Sequence, residues 1–177
     1  MGAKAMTASA SLPKPTLRPY LPADLPLLAE LRLAAIEELT EDDYDEAQRR
    51  AWILRADDED TLGETLKSGL SLVALIGGAP VGFIVLADGG LIDQLYVHPA
   101  AARQGVASAL CDAIEKLAAA RGVAALVTDA SDTAKPLFEK RGFTAERRNT
   151  IEIDGEYLGN TRMKKVLTPQ PSGKTTS

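Results

Sequence analysis

The chain carries a single cysteine, Cys111. No intrachain disulfide is possible, so packing must hold the fold, as in a reducing, cytoplasmic setting. Cys111 falls inside an amphipathic stretch and reads as a small packed residue rather than a nucleophile. No run approaches the ~20 apolar residues of a membrane helix, so no membrane partner is expected. Basic residues do not dominate either: 20 Lys and Arg face 25 Asp and Glu, for a net charge of -5. That balance excludes general nucleic-acid binding, which needs a basic face. Aromatic residues make up only 5%, so Leu, Ala, Val and Ile must build the core. His98 is the only histidine, and no metal is expected. It sits in a V-H-P turn and reads as a solvated turn residue, although its titration range would suit a base.

What is present fits one domain of 177 residues. Residues 1–15 are small, polar and Pro-containing, without the apolar segment of a signal peptide. They read as a flexible lead, 168–177 as a flexible tail, and 16–167 as the domain. Thr16 to Tyr20 reads as an edge strand, because Pro19 cannot donate to a ladder. Asp24 is placed to cap a helix bearing Leu28, Leu31 and Ala35. A second helix is expected over Ala47–Leu54, and Thr61 with Glu64 reads as the capping box of a third, ending near Ser68. Ser71–Ile76, Val81–Ala87 and Leu91–Val97 are then separated by glycine turns and read as a three-stranded meander.

From Val106 to Ala120, the positions Val106, Leu110, Ala113, Ile114 and Leu117 form one apolar stripe. Arg121 and Gly122 supply a terminal cation and a C′ glycine. Val123–Thr128 is almost wholly apolar, the pattern of a strand with a parallel neighbour. Ser131 or Asp132 can cap a short helix to Lys140, which Gly142 ends. Thr150–Ile153 and Gly159–Leu167 complete a last hairpin around Gly155.

The strand Leu91–Val97 passes through His98-Pro99 into a loop, Ala102-Arg103-Gln104-Gly105-Val106-Ala107, that opens the long helix. Free N–H groups at such a helix start make an anion site. The loop resembles the Q/R-x-x-G-x-G/A motif of the GNAT superfamily of N-acetyltransferases. Gly105 and Ala107 match, whereas Ala102 stands where the family has Gln or Arg. A second block, Ser131-Asp132-Thr133-Ala134-Lys135-Pro136-Leu137-Phe138-Glu139-Lys140-Arg141-Gly142-Phe143, is similar to the family's N-x-x-A-x-x-L-Y-E-K-x-G-F. Here Ser131 replaces the usual Asn and Phe138 the usual Tyr. The resemblance is clear over Val73–Phe143.

The resemblance implies an α/β (α+β) GNAT fold, with a mixed sheet of about six to seven strands and about four to five helices. It implies acetyl-CoA as cosubstrate. Its pyrophosphate would lie on Arg103, Gln104, Gly105, Val106, Ala107 and Ser108. Its pantetheine would lie along Leu95, Tyr96 and Val97, with Ser131, Lys135 and Phe138 beside it. In this family an acyl group passes directly from thioester to amine. A primary amine is mostly protonated at pH 7, and removing that proton costs roughly 4 to 5 kcal/mol. A base is therefore needed. Asp93 is the candidate, since Ile92-Asp93-Gln94-Leu95 is similar to a run in some aminoglycoside acetyltransferases where the Asp has a base role. Tyr96 and Tyr157 are candidate proton donors to the departing thiolate, as is water.

The acceptor would be framed by Glu38–Leu54 and Arg148–Thr161. Seven of the ten residues Glu37–Glu46 are acidic, and Tyr44 and Trp52 lie in or beside that run. They could form an aromatic, anionic funnel for an amine, or only a solvated face. Arg147, Arg148 and Arg162 leave room for an amine that carries a carboxylate. A small-molecule amine is the expected partner, with a homodimer possible. A protein lysine or N-terminal amine is the alternative acceptor, and a non-catalytic acyl-CoA sensor is the alternative class.

Overall fold

The computed structural model of the chain describes residues 13–167. Most of the expected lead, and all of the tail, lie outside the described residues. The architecture is a seven-stranded sheet in the order β1-β2-β3-β4-β5-β7-β6. The strands are β1 (Thr16–Pro19), β2 (Leu70–Ile76), β3 (Ala79–Ala87), β4 (Leu91–Val97), β5 (Ala125–Ser131), β6 (Thr144–Ile153) and β7 (Glu156–Val166). Five helices flank them: α1 (Leu25–Leu39), α2 (Glu46–Ala56), α3 (Glu59–Ser68), α4 (Val106–Ala120) and α5 (Lys135–Lys140). This is the GNAT layout expected. β1 is an edge strand, as Pro19 requires. Among the described residues, no helix is long and apolar enough to cross a membrane.

Alternation along the central strands divides the apolar residues between two cores. On one face Leu72, Ala74, Ile84 and Leu86 meet the α4 stripe of Val106, Leu110, Ile114 and Ala118. On the other, Val73, Phe83 and Val85 meet Leu28 and Leu31 of α1 and Leu62 and Leu66 of α3. Cys111 is fully buried in the first core, and burial pushes its thiol up to about 12. It is a packing residue.

The helix ends explain where local expectations held. Gly122 and Gly142 adopt positive φ, and the next N–H groups turn back: Val123 to Ala118 O at 3.0 Å and Phe143 to Phe138 O at 3.0 Å. That capping consumes Val123, so β5 begins at Ala125 and not at Val123. Three caps differ from expectation, the first being α5, which starts at Lys135 behind Ala134 and so is capped by neither Ser131 nor Asp132. Asp24 makes no cap bond to α1; its carboxylate accepts from Leu21 N–H at 2.9 Å and pairs with Arg18 at 2.7 and 2.8 Å. Asp58, not Thr61, caps α3, accepting from the Thr61 N–H at 2.9 Å and hydroxyl at 2.7 Å. The last hairpin is also longer than its turn signals suggest, with β6 starting at Thr144.

Candidate active site

Two irregularities open the sheet at one place. β4 pairs with β3 from Gly82↔Val97 to Val85↔Gln94, then resumes at Leu86↔Ile92. Asp93 is left without a partner, which makes it the extra residue of a β-bulge. A bulge bends its strand and re-aims a side chain. On its other edge, β4 pairs with β5 only at Leu91↔Val127 and Ile92↔Thr128. Thr128 is buried, and its hydroxyl donates to Ile92 O at 3.0 Å, closing the last rung. Beyond it the strands diverge, so the β5-facing edge of Asp93–Val97 is free of ladder bonds. The bulge and the splay thus share one position.

The bulge also sorts side chains. Ile92 and Leu95 belong to the α4-side core, whereas Tyr96 packs on Phe83 with ring centroids 5.7 Å apart, on the α1 side. Gln94 follows Tyr96 and meets Arg32 of α1 at 3.4 Å. Because the bulge brings Asp93 round to the same side, the Gln94 amide can donate to its carboxylate, at 3.4 Å. Asp93 itself is exposed.

Arg32 was not singled out in the sequence. It is 8% exposed, reaches Gln94 and the Ala56 carbonyl, and among the described residues has no carboxylate in ion-pair contact. Burial lowers its basicity, against nearby Tyr96, Asp58, Asp57 and Asp93. Burial likewise raises the Tyr96 phenol above its ordinary value, while Arg32's charge and the nearby Trp52 side chain pull it back.

The anion end follows from backbone conformation. His98 caps the turn after β4, its Nδ1 accepting from the Ala100 N–H at 3.0 Å, so this histidine serves the turn. Arg103 and Gly105 then take φ of 62° and 80°. Left-handed Arg103 costs roughly 1 kcal/mol, and such turns gather successive N–H groups into a concavity suited to anions. The α4 ladder begins with Ala109 N–H to Gly105 O at 3.0 Å, which leaves the N–H groups of Val106, Ala107 and Ser108 without intrahelical acceptors.

A cavity of about 680 Å³ joins these parts. Asp93, Leu95, Tyr96 and Val97 of β4 line it, with Arg103, Gly105, Val106, Ala107 and Ser108 of the loop and α4. Ser131 and Phe138 line the β5–α5 side, and Asp42, Asp43 and Trp52 the α1–α2 side. Four candidate site residues are not in its walls, and one of them, Tyr157, is 61% exposed on β7. Gln104 turns back to donate to Ala100 O at 3.2 Å, and Lys135 pairs with Glu139 at 3.6 Å. Tyr44 is 4% exposed, behind Trp52, with ring centroids 5.4 Å apart. Its hydroxyl is committed, donating to Gly159 O at 2.6 Å and accepting from Asp132 N–H at 2.9 Å. Ser131 caps its own turn, Oγ accepting from Ala134 N–H at 3.1 Å. Phe138 is buried edge-on to Phe143, with no hydroxyl to offer.

Residues 40–167 match the acetyltransferase (GNAT) domain family. This chain is a member of the GNAT acetyltransferase family. It is 34% identical over 148 residues to the uncharacterized N-acetyltransferase YafP of Escherichia coli K12, covering 84% of this chain and 93% of that one. Among solved structures it resembles a GCN5-related N-acetyltransferase from Rhodopseudomonas palustris, at 49% identity and a TM-score of 0.84. That likeness covers 88% of this chain and 98% of the other. The PaiA N-acetyltransferase of Thermoplasma acidophilum, solved with coenzyme A, shares the fold at 19% identity and a TM-score of 0.72, over 87% of this chain and 99% of its own. This GNAT chain is therefore an acyltransferase. The splayed strands, bulge and left-handed loop lie in the matched segment.

Proposed function

We propose that this GNAT protein transfers an acetyl group from acetyl-CoA to a primary amine of a small molecule. The observation that carries the reading is the single cavity that joins the N–H concavity of α4 to the free edge of β4 and the Asp93 carboxylate. The coenzyme A bound by the PaiA relative supports the choice of cosubstrate. The pyrophosphate is assigned to Arg103, Gly105, Val106, Ala107 and Ser108, with Gln104 giving its backbone only. Pantetheine amides would complete the ladder along Leu95–Val97, beside Ser131 and Phe138. Lys135, held by Glu139, is kept for the outer rim of that site.

The chemistry then has a base, an electrophile and a proton source. Asp93 takes a proton from the ammonium group, directly or through water. The nitrogen lone pair forms the N–C bond at the thioester carbonyl, whose developing oxyanion is met by a β4 backbone N–H. The C–S bond breaks and its electron pair leaves on sulfur. The nitrogen gives up its second proton as the amide forms, and Tyr96 or water relays a proton to the thiolate, a modest task for a thiol of pKa about 8.5. Trp52, Asp42 and Asp43 face the acceptor. The tip of the β6–β7 hairpin, through Ile153 and Leu158, is sealed against Ala51 and Trp52, which favours a compact acceptor over a peptide.

The test is calorimetric titration with acetyl-CoA, followed by an amine screen read by thiol release, on the parent and on Asp93→Asn. Asp93→Asn is expected to lose about 10²- to 10⁴-fold in kcat with unchanged coenzyme affinity. A parent that binds no acetyl-CoA would overturn the cosubstrate. Full turnover by the variant would overturn the base.

A further inference from the structure

Tyr44 joins three pieces of chain that are far apart in sequence. Its hydroxyl donates to Gly159 O of β7 at 2.6 Å and accepts from the N–H of Asp132, in the β5–α5 connection, at 2.9 Å. It belongs itself to the α1–α2 connection. The neighbouring Asp43 carboxylate makes a second tie, accepting from the Thr133 hydroxyl at 2.8 Å. The two connections thus meet across the cavity: Asp43 lines it from one side, and Ser131 and Thr133 from the other. The ring of Tyr44 stands edge-on, at 78°, against Trp52, which is a cavity wall.

The geometry points to Tyr44 as a positioning residue that couples the two ends of the site. The inference rests on the coenzyme A reading above. Pantetheine seated beside Ser131 fixes the β5–α5 connection. The Asp132 N–H then holds the Tyr44 hydroxyl, the hydroxyl holds the α1–α2 connection, and the ring holds Trp52. Coenzyme binding therefore completes the acceptor wall, and acceptor binding follows it. A phenol is needed for this, because one oxygen must donate to Gly159 and accept from Asp132 at once. Phe keeps the ring and removes both bonds.

Trp52 is the only tryptophan, so its emission reports the acceptor wall directly. The experiment titrates the full chain with coenzyme A, following heat by calorimetry and emission by fluorescence, for the parent, Tyr44→Phe and Thr133→Val. Coenzyme A is expected to change the emission of the parent. Tyr44→Phe should bind coenzyme A within about threefold of the parent yet lose more than half of the emission response, in keeping with a coupling of about five- to tenfold. Thr133→Val should lose a smaller part. A merely structural Tyr44 would lower the melting temperature and leave the response intact, as would direct contact of coenzyme A with Trp52. Either result, with coenzyme A binding retained, overturns the coupling and leaves the acetyltransferase reading standing. Failure of the parent to bind coenzyme A overturns both.

Discussion

Gly82 offers a decisive perturbation because its sign is fixed by geometry. It lies on β3, paired with Val97 of β4, under the first turn of α4. A Cβ there would lie 2.9 Å from Val106 Cγ1, 3.1 Å from Tyr96 O and 3.3 Å from Leu110 Cδ1. Carbon atoms rest at about 3.5–4.0 Å, so the first turn of α4 must retreat by roughly 0.6–1 Å. Val106 is β-branched and fully packed and cannot rotate aside, and Tyr96 O is backbone. In open space, Gly→Ala in a strand would stabilise by roughly 0.5–1 kcal/mol. Overpacking costs about 1–3 kcal/mol, so Gly82→Ala should lose about 1–2 kcal/mol net. For a domain of this size that is a fall of roughly 3–6 °C in melting temperature. The displaced turn carries the Val106–Ser108 N–H groups, and a site loosened by more than about 0.5 Å loses function. Coenzyme A affinity should then fall about tenfold, which is 1.4 kcal/mol. Thermal unfolding and calorimetry check both values. A Gly82→Ala protein more stable than its parent, with unchanged coenzyme affinity, would refute the close packing of α4 on β3.

Two further outcomes follow from single contacts. Thr128→Val removes the hydroxyl that donates to Ile92 O at 3.0 Å; leaving that buried carbonyl unpaired should cost about 1–2 kcal/mol in denaturant unfolding and speed hydrogen exchange at the β4–β5 junction. Hydrogen bonds from Arg18 hold the Asp24 carboxyl below the usual aspartate range, helped by the Leu21 N–H and opposed by burial. The folded value lies below the unfolded one, so this stabilisation is full above the ordinary aspartate range and is lost as pH falls through the folded value. The parent's stability should therefore drop more steeply below about pH 4 than that of Asp24→Asn, and equal slopes would exclude the pair as a contributor.

The sequence was legible where a residue type has one conformational use. Glycine at a helix end marked the ends of α4 and α5, and the apolar stripe and the glycine turns bounded α4 and β4 to the residue. Of the residues the second family block offered, Ser131 and Phe138 line the cavity and Lys135 does not. What could not be read was register. A one-residue slip at Asp93 leaves no mark in composition or period, yet it sets which side of the sheet Asp93 and Gln94 face. Arg32 was silent for a similar reason, since its partners are a backbone carbonyl and an amide rather than a matching carboxylate. As an aromatic among acids, Tyr44 reads from sequence as part of an acceptor wall. Its hydroxyl partners lie 88 and 115 residues away, so only the fold could show that it is buried against Trp52 and not in the cavity wall.

The two-rung junction between β4 and β5 has a mechanical meaning. A sheet is stiff along an unbroken ladder, and here the ladder narrows to two residue pairs at its middle. Two plates, β1–β4 and β5–β7, are joined by a seam. What bridges the seam is α4, whose buried stripe lies in one core with Ile84 on one plate and Leu126 on the other. The helix acts as a splint, and its N-terminal turn opens onto the cavity. Any load placed on that end is carried into both plates together, so the end proposed to grip the anion is also the part that keeps the seam from opening.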